Sequence, residues 1–191
     1  MAQSIEWDLR PGAVIAAAAA VLVLPLQWLT AVLLGALIHE GCHLAVLRLR
    51  RYRIHKITVG LSGTVISTQP LSLLDELLCA LAGPVGSLLL VGLSSILPEL
   101  AVCGLFQGVW NLLPLYPLDG GRVLGCILRL FCPEKAEEIS RLISWIVLIL
   151  LLWLCVGFFA SVPVFWIAAG FGAFRLLMRK LSCNQSSLAV Q

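Results

Sequence analysis

Long apolar stretches, broken by short polar ones, make up most of this chain. A helix that crosses a bilayer needs about 20 mostly apolar residues, with a range of about 17–25. Six stretches reach or approach that length, at about residues 12–26, 28–47, 73–97, 100–118, 142–160 and 162–178. The pattern therefore predicts an all-α polytopic membrane protein with about six transmembrane helices.

Two intervals depart from this helical pattern. Residues 51–69 are rich in β-branched side chains with partial alternation, which is typical of a β-hairpin. Residues 121–141 mix apolar and charged side chains, so we expect one or two amphipathic helices along the membrane surface. Asp75 and Glu76 stand at the start of the third span, where we expect both carboxylates to be solvated. Residues 1–191 are expected to form a single integral membrane domain with no appended soluble domain.

The composition agrees with a membrane protein and excludes several other classes. Of the 191 residues, 60% are hydrophobic and 12% are charged, whereas a soluble domain has about 45–50% apolar and about 25% charged residues. Too little polar surface remains to cover a water-soluble globule. The seven cysteines lie mostly in apolar runs, which argues against a disulfide-stapled secreted module.

The positive charges sort to one side of the predicted spans. With six spans, all thirteen lysines and arginines fall on the same side, and the short loops on the other side keep only Glu99. Cytoplasmic loops of membrane proteins carry an excess of Lys and Arg. We therefore expect a multi-pass protein of the cell membrane with both termini in the cytosol, and the positive charge requires no nucleic-acid partner.

Ionisable side chains inside a span are costly and point to function. The second span contains His39, Glu40 and His43 in the order HEGCH, and the fourth leads through Asn111 to Asp119 in NLLPLYPLDGG. Both groups come near the cytosolic ends of their helices. Residues spaced i, i+4 lie on one helix face with Cβ atoms about 5–6 Å apart. The two imidazoles can therefore bind one zinc ion, while Glu40 lies close enough to hold a water.

A catalytic zinc site uses three protein ligands and leaves one position for water. His55 is the only other histidine, but it belongs to the basic hairpin, and Cys42 faces away from the histidine edge. Asp119 is the preferred third ligand because it is an acid in an apolar setting, followed by the flexible pair Gly120 and Gly121. The alternatives are that Asp119 is a helix N-cap and that the HExxH residues form a satisfied polar cluster between helices.

HEGCH together with NLLPLYPLDGG resembles the site-2 protease family of intramembrane zinc metalloproteases (peptidase family M50), and within it the stage IV sporulation protein FB branch. The resemblance covers nearly the whole chain, including the glycine-containing hairpin at 60–64 and the AGP segment at 82–84. It implies a three-helix catalytic core in which His39, His43 and Asp119 bind one zinc ion and Glu40 is the general base. It also implies that Asn111 contacts the substrate and that the hairpin offers an edge to an unwound substrate segment.

The implied activity is hydrolysis of a peptide bond in or next to a transmembrane segment of a membrane-associated protein, near the cytosolic face. Regulated intramembrane proteolysis of a bacterial pro-sigma factor or another regulator would be an example. Three departures from the family pattern are visible. The interior of HExxH is Gly-Cys, Ser87 stands where the AGPxxN pattern has asparagine, and the regulatory domains of many relatives are expected to be absent.

Two other interpretations stay open at the level of sequence. A catalytically silent homologue would use the same fold to bind membrane partners. A metal or proton transporter would also carry intramembrane His and Asp, but no outer half of a predicted span contains an ionisable residue, which argues against it. Membrane inhibitor or regulator proteins and a second copy of this chain stay open as partners besides the substrate and the lipid bilayer.

Overall fold

The computed structural model describes residues 6–60 and 63–159, with side chains up to residue 156. The predicted sixth span, 162–178, lies outside the described residues. The described chain is mostly helical. In chain order its elements are β1 Glu6–Leu9, α1 Pro11–Val23, α2 Leu26–Leu49, β2 Ile54–Gly60, β3 Gly63–Thr68, α3 Leu73–Leu89, a 3₁₀ turn Leu90–Leu93, α4 Pro98–Asn111, α5 Asp119–Phe131 and α6 Ala136–Phe159.

Three of the described helical segments are long and apolar enough to cross a membrane. They are Leu26–Leu49, Leu73–Leu93, which joins α3 to its 3₁₀ turn, and Ala136–Val156 in α6. The first helix, α1, is apolar but has only 13 residues. These helices make the chain a membrane protein.

The fourth predicted span is shorter than expected, so the prediction of a continuous helix over 100–118 is wrong. α4 has 14 residues and is about 21 Å long. The hydrocarbon core of a bilayer is thicker, at about 30 Å. Residues 112–118 form turns and bends instead. Pro114 and Pro117 explain this end, because proline lacks the amide hydrogen that would continue the helix.

The centre of the molecule is formed by α2, α3 and α4, with α5 packed on α3 and α6 on α5. Glycines let α4 lie against the backbone of α3. A Cβ atom built on Gly104 would lie 2.5 Å from the carbonyl oxygen of Ser87, and one on Gly108 would lie 3.1 Å from that of Pro84. Small residues of this kind allow membrane helices to pack closely without a hydrophobic driving force between them.

A three-stranded sheet in the order β1-β2-β3 includes the interval 51–69, where the sequence predicts a hairpin, and adds β1, which the sequence does not predict. β2 and β3 are antiparallel, and β1 adds to β2 in parallel with Trp7 opposite Ile57. Lys56 on β2 donates to Glu6 on β1 at 2.8 Å, and this hydrogen bond raises the pKa of the lysine. Because β1 precedes α1 and β2 follows α2, these two helices return the chain to the side from which it entered.

Asp75 lies at the junction of α2 and α3 and contradicts the expectation of a solvated carboxylate. Its side chain is buried and accepts hydrogen bonds from Arg50 Nε at 2.5 Å, Tyr52 Oη at 2.7 Å and Ser72 Oγ at 2.7 Å. Helical periodicity could not predict this, since two of the donors come from the segment that follows α2. The three hydrogen bonds connect the end of α2 to the start of α3.

Candidate metal centre

The side chains of His39, His43 and Asp119 converge at one buried point. The Oδ2 atom of Asp119 lies 3.2 Å from the Nε2 atom of each histidine. The two Nε2 atoms lie 3.3 Å from each other. The three atoms therefore form a nearly equilateral triangle.

Hydrogen bonds on the far sides of the rings direct both Nε2 atoms toward Asp119. Nδ1 of His43 donates to the carbonyl oxygen of Cys79 at 2.7 Å, and Nδ1 of His39 lies 2.9 Å from Ser87 Oγ. A carbonyl oxygen can only accept, so the neutral ring of His43 has a bare lone pair at Nε2. A lone pair facing a carboxylate oxygen in a buried site is stable only with a cation or an added proton between them.

The triangle has the dimensions of a zinc site. Zinc bonds to His nitrogen and carboxylate oxygen are about 2.0–2.2 Å long, so two ligand atoms at a tetrahedral angle lie about 3.3 Å apart. The observed separations of 3.2, 3.2 and 3.3 Å match this value. Two imidazoles and a carboxylate are also the donor types that zinc uses in catalytic sites. The residues therefore fit a zinc ion.

Three features of α3 hold the imidazoles in place, and the sequence predicts this role for none of them. Ser87 was noted only as a departure from a pattern, whereas its buried hydroxyl contacts His39. Gly83 lies directly against both rings. A Cβ atom there would overlap Nε2 of His43 and would lie 2.8 Å from Cε1 of His39. The Cys79 carbonyl gives no sequence signal at all, because any residue has one.

Asp119 reaches the histidines from the start of α5. The N-cap of this helix is Leu118, so the alternative that Asp119 is the N-cap is wrong. Its second oxygen, Oδ1, lies 3.3 Å from Nη1 of Arg122 one turn later, an ion pair that the sequence did not predict. The following glycine packs tightly on the end of α4, because a Cβ atom on Gly120 would overlap the carbonyl group of Leu112.

Glu40 lies beside the triangle and is not one of its members among the described residues. It follows His39 directly on α2 and is half-buried. The backbone of Thr64, on the edge strand β3, lies close to its carboxylate. Glu40 therefore lies between the three convergent side chains and the sheet.

The remaining candidates occupy other places. His55 is exposed on β2 and takes no part in the cluster. Cys42 packs against α3, because a Cβ atom built on Gly86 would lie 3.2 Å from the Cβ atom of Cys42. Asn111 is the last residue of α4, and its Nδ2 donates to the carbonyl oxygen of Gln107 at 3.0 Å.

Comparisons with known proteins found a peptidase family that matches part of the chain. Residues 76–152 match the model of the family described as "Peptidase family M50". That segment contains Asn111 and Asp119 but begins after the HExxH helix. No curated protein matches the chain significantly.

A solved structure is similar over most of the chain. It is described as "Site-2 Protease from Methanocaldococcus jannaschii", and it is 21% identical in sequence with a TM-score of 0.67. The match covers 88% of this chain and 87% of that one. The chain therefore has a fold similar to that of this protease, and its segment from α3 to α6 matches the peptidase family.

Proposed function

We propose that this chain is an intramembrane zinc metalloprotease of the site-2 protease family. It hydrolyses a peptide bond in or next to a transmembrane segment of a membrane-associated protein, near the cytosolic face. One observation carries the proposal: His39, His43 and Asp119 place three ligand atoms 3.2–3.3 Å apart at a buried point, with Glu40 beside them. The match to peptidase family M50 supports it.

The residues divide the chemistry between them. A zinc ion bound by His39, His43 and Asp119 would polarise the scissile carbonyl and make water nucleophilic near neutral pH. Glu40 holds the attacking water, accepts its proton and passes that proton to the leaving amide nitrogen. Ser87 and the Cys79 carbonyl keep both imidazoles in the orientation in which Nε2 faces the reaction centre.

The bilayer imposes a second requirement on such an enzyme. A transmembrane substrate must unwind before cleavage, and its freed backbone groups need hydrogen-bond partners because the hydrocarbon core provides none. The edge strand β3 can supply these partners by strand addition. Thr64 of β3 lies beside Glu40, so a substrate strand added there would lie near the general base. Asn111, at the end of α4, would contact the substrate close to the scissile bond.

Two measurements on purified protein test the centre. The wild-type chain should contain one zinc ion, and Asp119→Ala should lose most of it because a ligand is missing. Glu40→Gln should keep its zinc and lose cleavage, since the variant cannot accept the proton. Full zinc in Asp119→Ala, or unchanged cleavage by Glu40→Gln, would contradict the proposal. Retained zinc with no cleavage of any substrate by the wild type would favour a catalytically silent protein that binds membrane partners.

We propose six spans in a single domain, in a bacterial cell membrane, with both termini in the cytosol. The pairing of β1 with β2 supports a common side for residues 6–9 and 54–60. A single cysteine introduced at Asp8 or at His55, in a chain without native cysteines, should react with a membrane-impermeant reagent only from the cytosolic side. One at Glu99 should react from the outside, and the same side for all three would contradict this topology.

The resemblance to the stage IV sporulation protein FB branch leads to a narrower proposal. The substrate would be a membrane-associated pro-sigma factor or a similar regulator, whose cleavage releases an active product. Co-expression with a pro-sigma factor should give a shorter product with the wild type and none with Glu40→Gln. An uncleaved pro-sigma factor, with other membrane substrates cleaved, would contradict this branch but not the protease.

A further inference from the structure

The side-chain amide of Gln107 lies about one helical turn from the metal centre. Gln107 is a polar residue within the apolar sequence of α4. Its backbone carbonyl accepts from Asn111, but its side-chain amide has no hydrogen-bond partner within residues 6–60 and 63–159. An amide in apolar surroundings is unfavourable unless it is hydrogen-bonded. Intramembrane polar groups without a structural partner point to a bound molecule.

The position of this amide relative to the centre follows from the packing of α4 on α2. A Cβ atom on Gly35 would lie 3.3 Å from Oε1 of Gln107 and 3.9 Å from Cβ of Cys103. Ala31, one turn before Gly35, and Leu100, one turn before Cys103, belong to one buried cluster. The two helices therefore run in the same direction.

The next turn of each helix carries site residues. His39 follows Gly35, and Asn111 follows Gln107, each by four residues. Four residues of α-helix rise about 6 Å. The amide of Gln107 therefore lies about 6 Å from the level of His39, on the side away from the arginine-rich end of α2.

We propose that Gln107 is a substrate-binding residue that hydrogen-bonds the main chain of the unwound substrate. A primary amide both donates and accepts, so it can pair with the N–H or C=O group that unwinding frees. An extended chain advances about 3.3 Å per residue, so the contacted group lies about two residues from the scissile bond, toward the membrane centre. This assignment rests on the proposed protease activity.

A purely structural role for Gln107 predicts different behaviour. In that case the side chain fills the space over Gly35, and methionine of similar length fills it as well. Gln107→Met removes the donor and the acceptor while keeping the volume. Leu105→Met, on an exposed part of the same helix, is the matched control.

The experiment uses the full-length chain in lipid nanodiscs and a panel of synthetic peptides. Each peptide has one span of about 20 apolar residues with a helix-destabilising pair at a different depth. On the peptide that is cleaved fastest, each backbone amide near the scissile bond is replaced in turn by an ester, which removes one N–H group. The measured quantities are kcat/KM and zinc content for the wild type, Gln107→Met, Leu105→Met and Glu40→Gln.

Gln107→Met should keep its zinc and lower kcat/KM about tenfold, the effect of one lost hydrogen bond. The ester about two residues from the scissile bond should lower kcat/KM of the wild type by a similar factor and have little further effect on Gln107→Met. Wild-type activity in Gln107→Met, loss of its zinc, or additive losses at every ester position would overturn the assignment. No cleavage by the wild type, or full cleavage by Glu40→Gln, would instead overturn the protease activity, and the assignment with it.

Discussion

At the scale of single residues, the hydroxyl of Ser87 decides how firmly His39 is oriented. It is fully buried and lies 2.9 Å from Nδ1 of this ring. Groups that hold a ligating histidine from behind are worth about 10–100-fold in metal affinity or activity. Ser87→Ala should therefore bind zinc about 10–100-fold more weakly in a competition with a chromophoric chelator. Ser94→Ala, at an exposed position beyond α3, should bind zinc like the wild type, and equal affinities for both variants would contradict this role.

The absence of a side chain at Gly83 is needed for the same centre. A Cβ atom there would lie 2.6 Å from Cε1 of His43 and 2.8 Å from Cε1 of His39, closer than real Cβ contacts. Gly83→Ala should therefore displace the imidazoles and abolish both zinc binding and proteolysis. Gly92→Ala is the matched control, since a Cβ atom at that position meets nothing within 4 Å. Normal zinc content in Gly83→Ala would show that α3 can move away without loss.

At the scale of elements, the end of α2 is strained at Arg51. This residue has a φ of 61°, and Tyr52 N donates to Leu47 O at 2.9 Å, the pattern of a helix end that usually carries glycine. A side chain in this left-handed conformation costs about 1 kcal/mol. Arg51→Gly should therefore raise the free energy of unfolding by about 0.5–1 kcal/mol, measured by denaturant titration in detergent. Arg51→Ala removes the same charge but keeps a Cβ atom, so it should give no such gain.

Elements with long hydrophobic patterns could be predicted from the sequence, whereas short elements could not. Apolar runs located α2, α3 and α6, and the HExxH and PLDGG motifs selected the three side chains that the structure brings together. β1 was missed because four mostly polar residues show no strand pattern, and its pairing with β2 is a long-range contact. The support from Ser87, Gly83 and Arg122 was missed as well, because it depends on how α3 and α5 rotate against α2. The spacing of motifs along the chain carries no information about how the helices are rotated.

At the scale of the whole molecule, a metal ion would connect parts of the chain that are otherwise held by helix packing. His39 and His43 belong to α2, whereas Asp119 begins α5 after the turns that follow α4. A ligand that binds only the folded state stabilises it by about 4 kcal/mol when its free concentration is 1,000 times its Kd. Removing zinc with a chelator should therefore lower the unfolding temperature of the wild type markedly, and added zinc should restore it. Asp119→Ala should unfold at a temperature that the chelator hardly changes, whereas Glu40→Gln should respond like the wild type because its ligands are intact. A chelator effect of equal size in Asp119→Ala would mean that the stabilising metal lies elsewhere in the molecule.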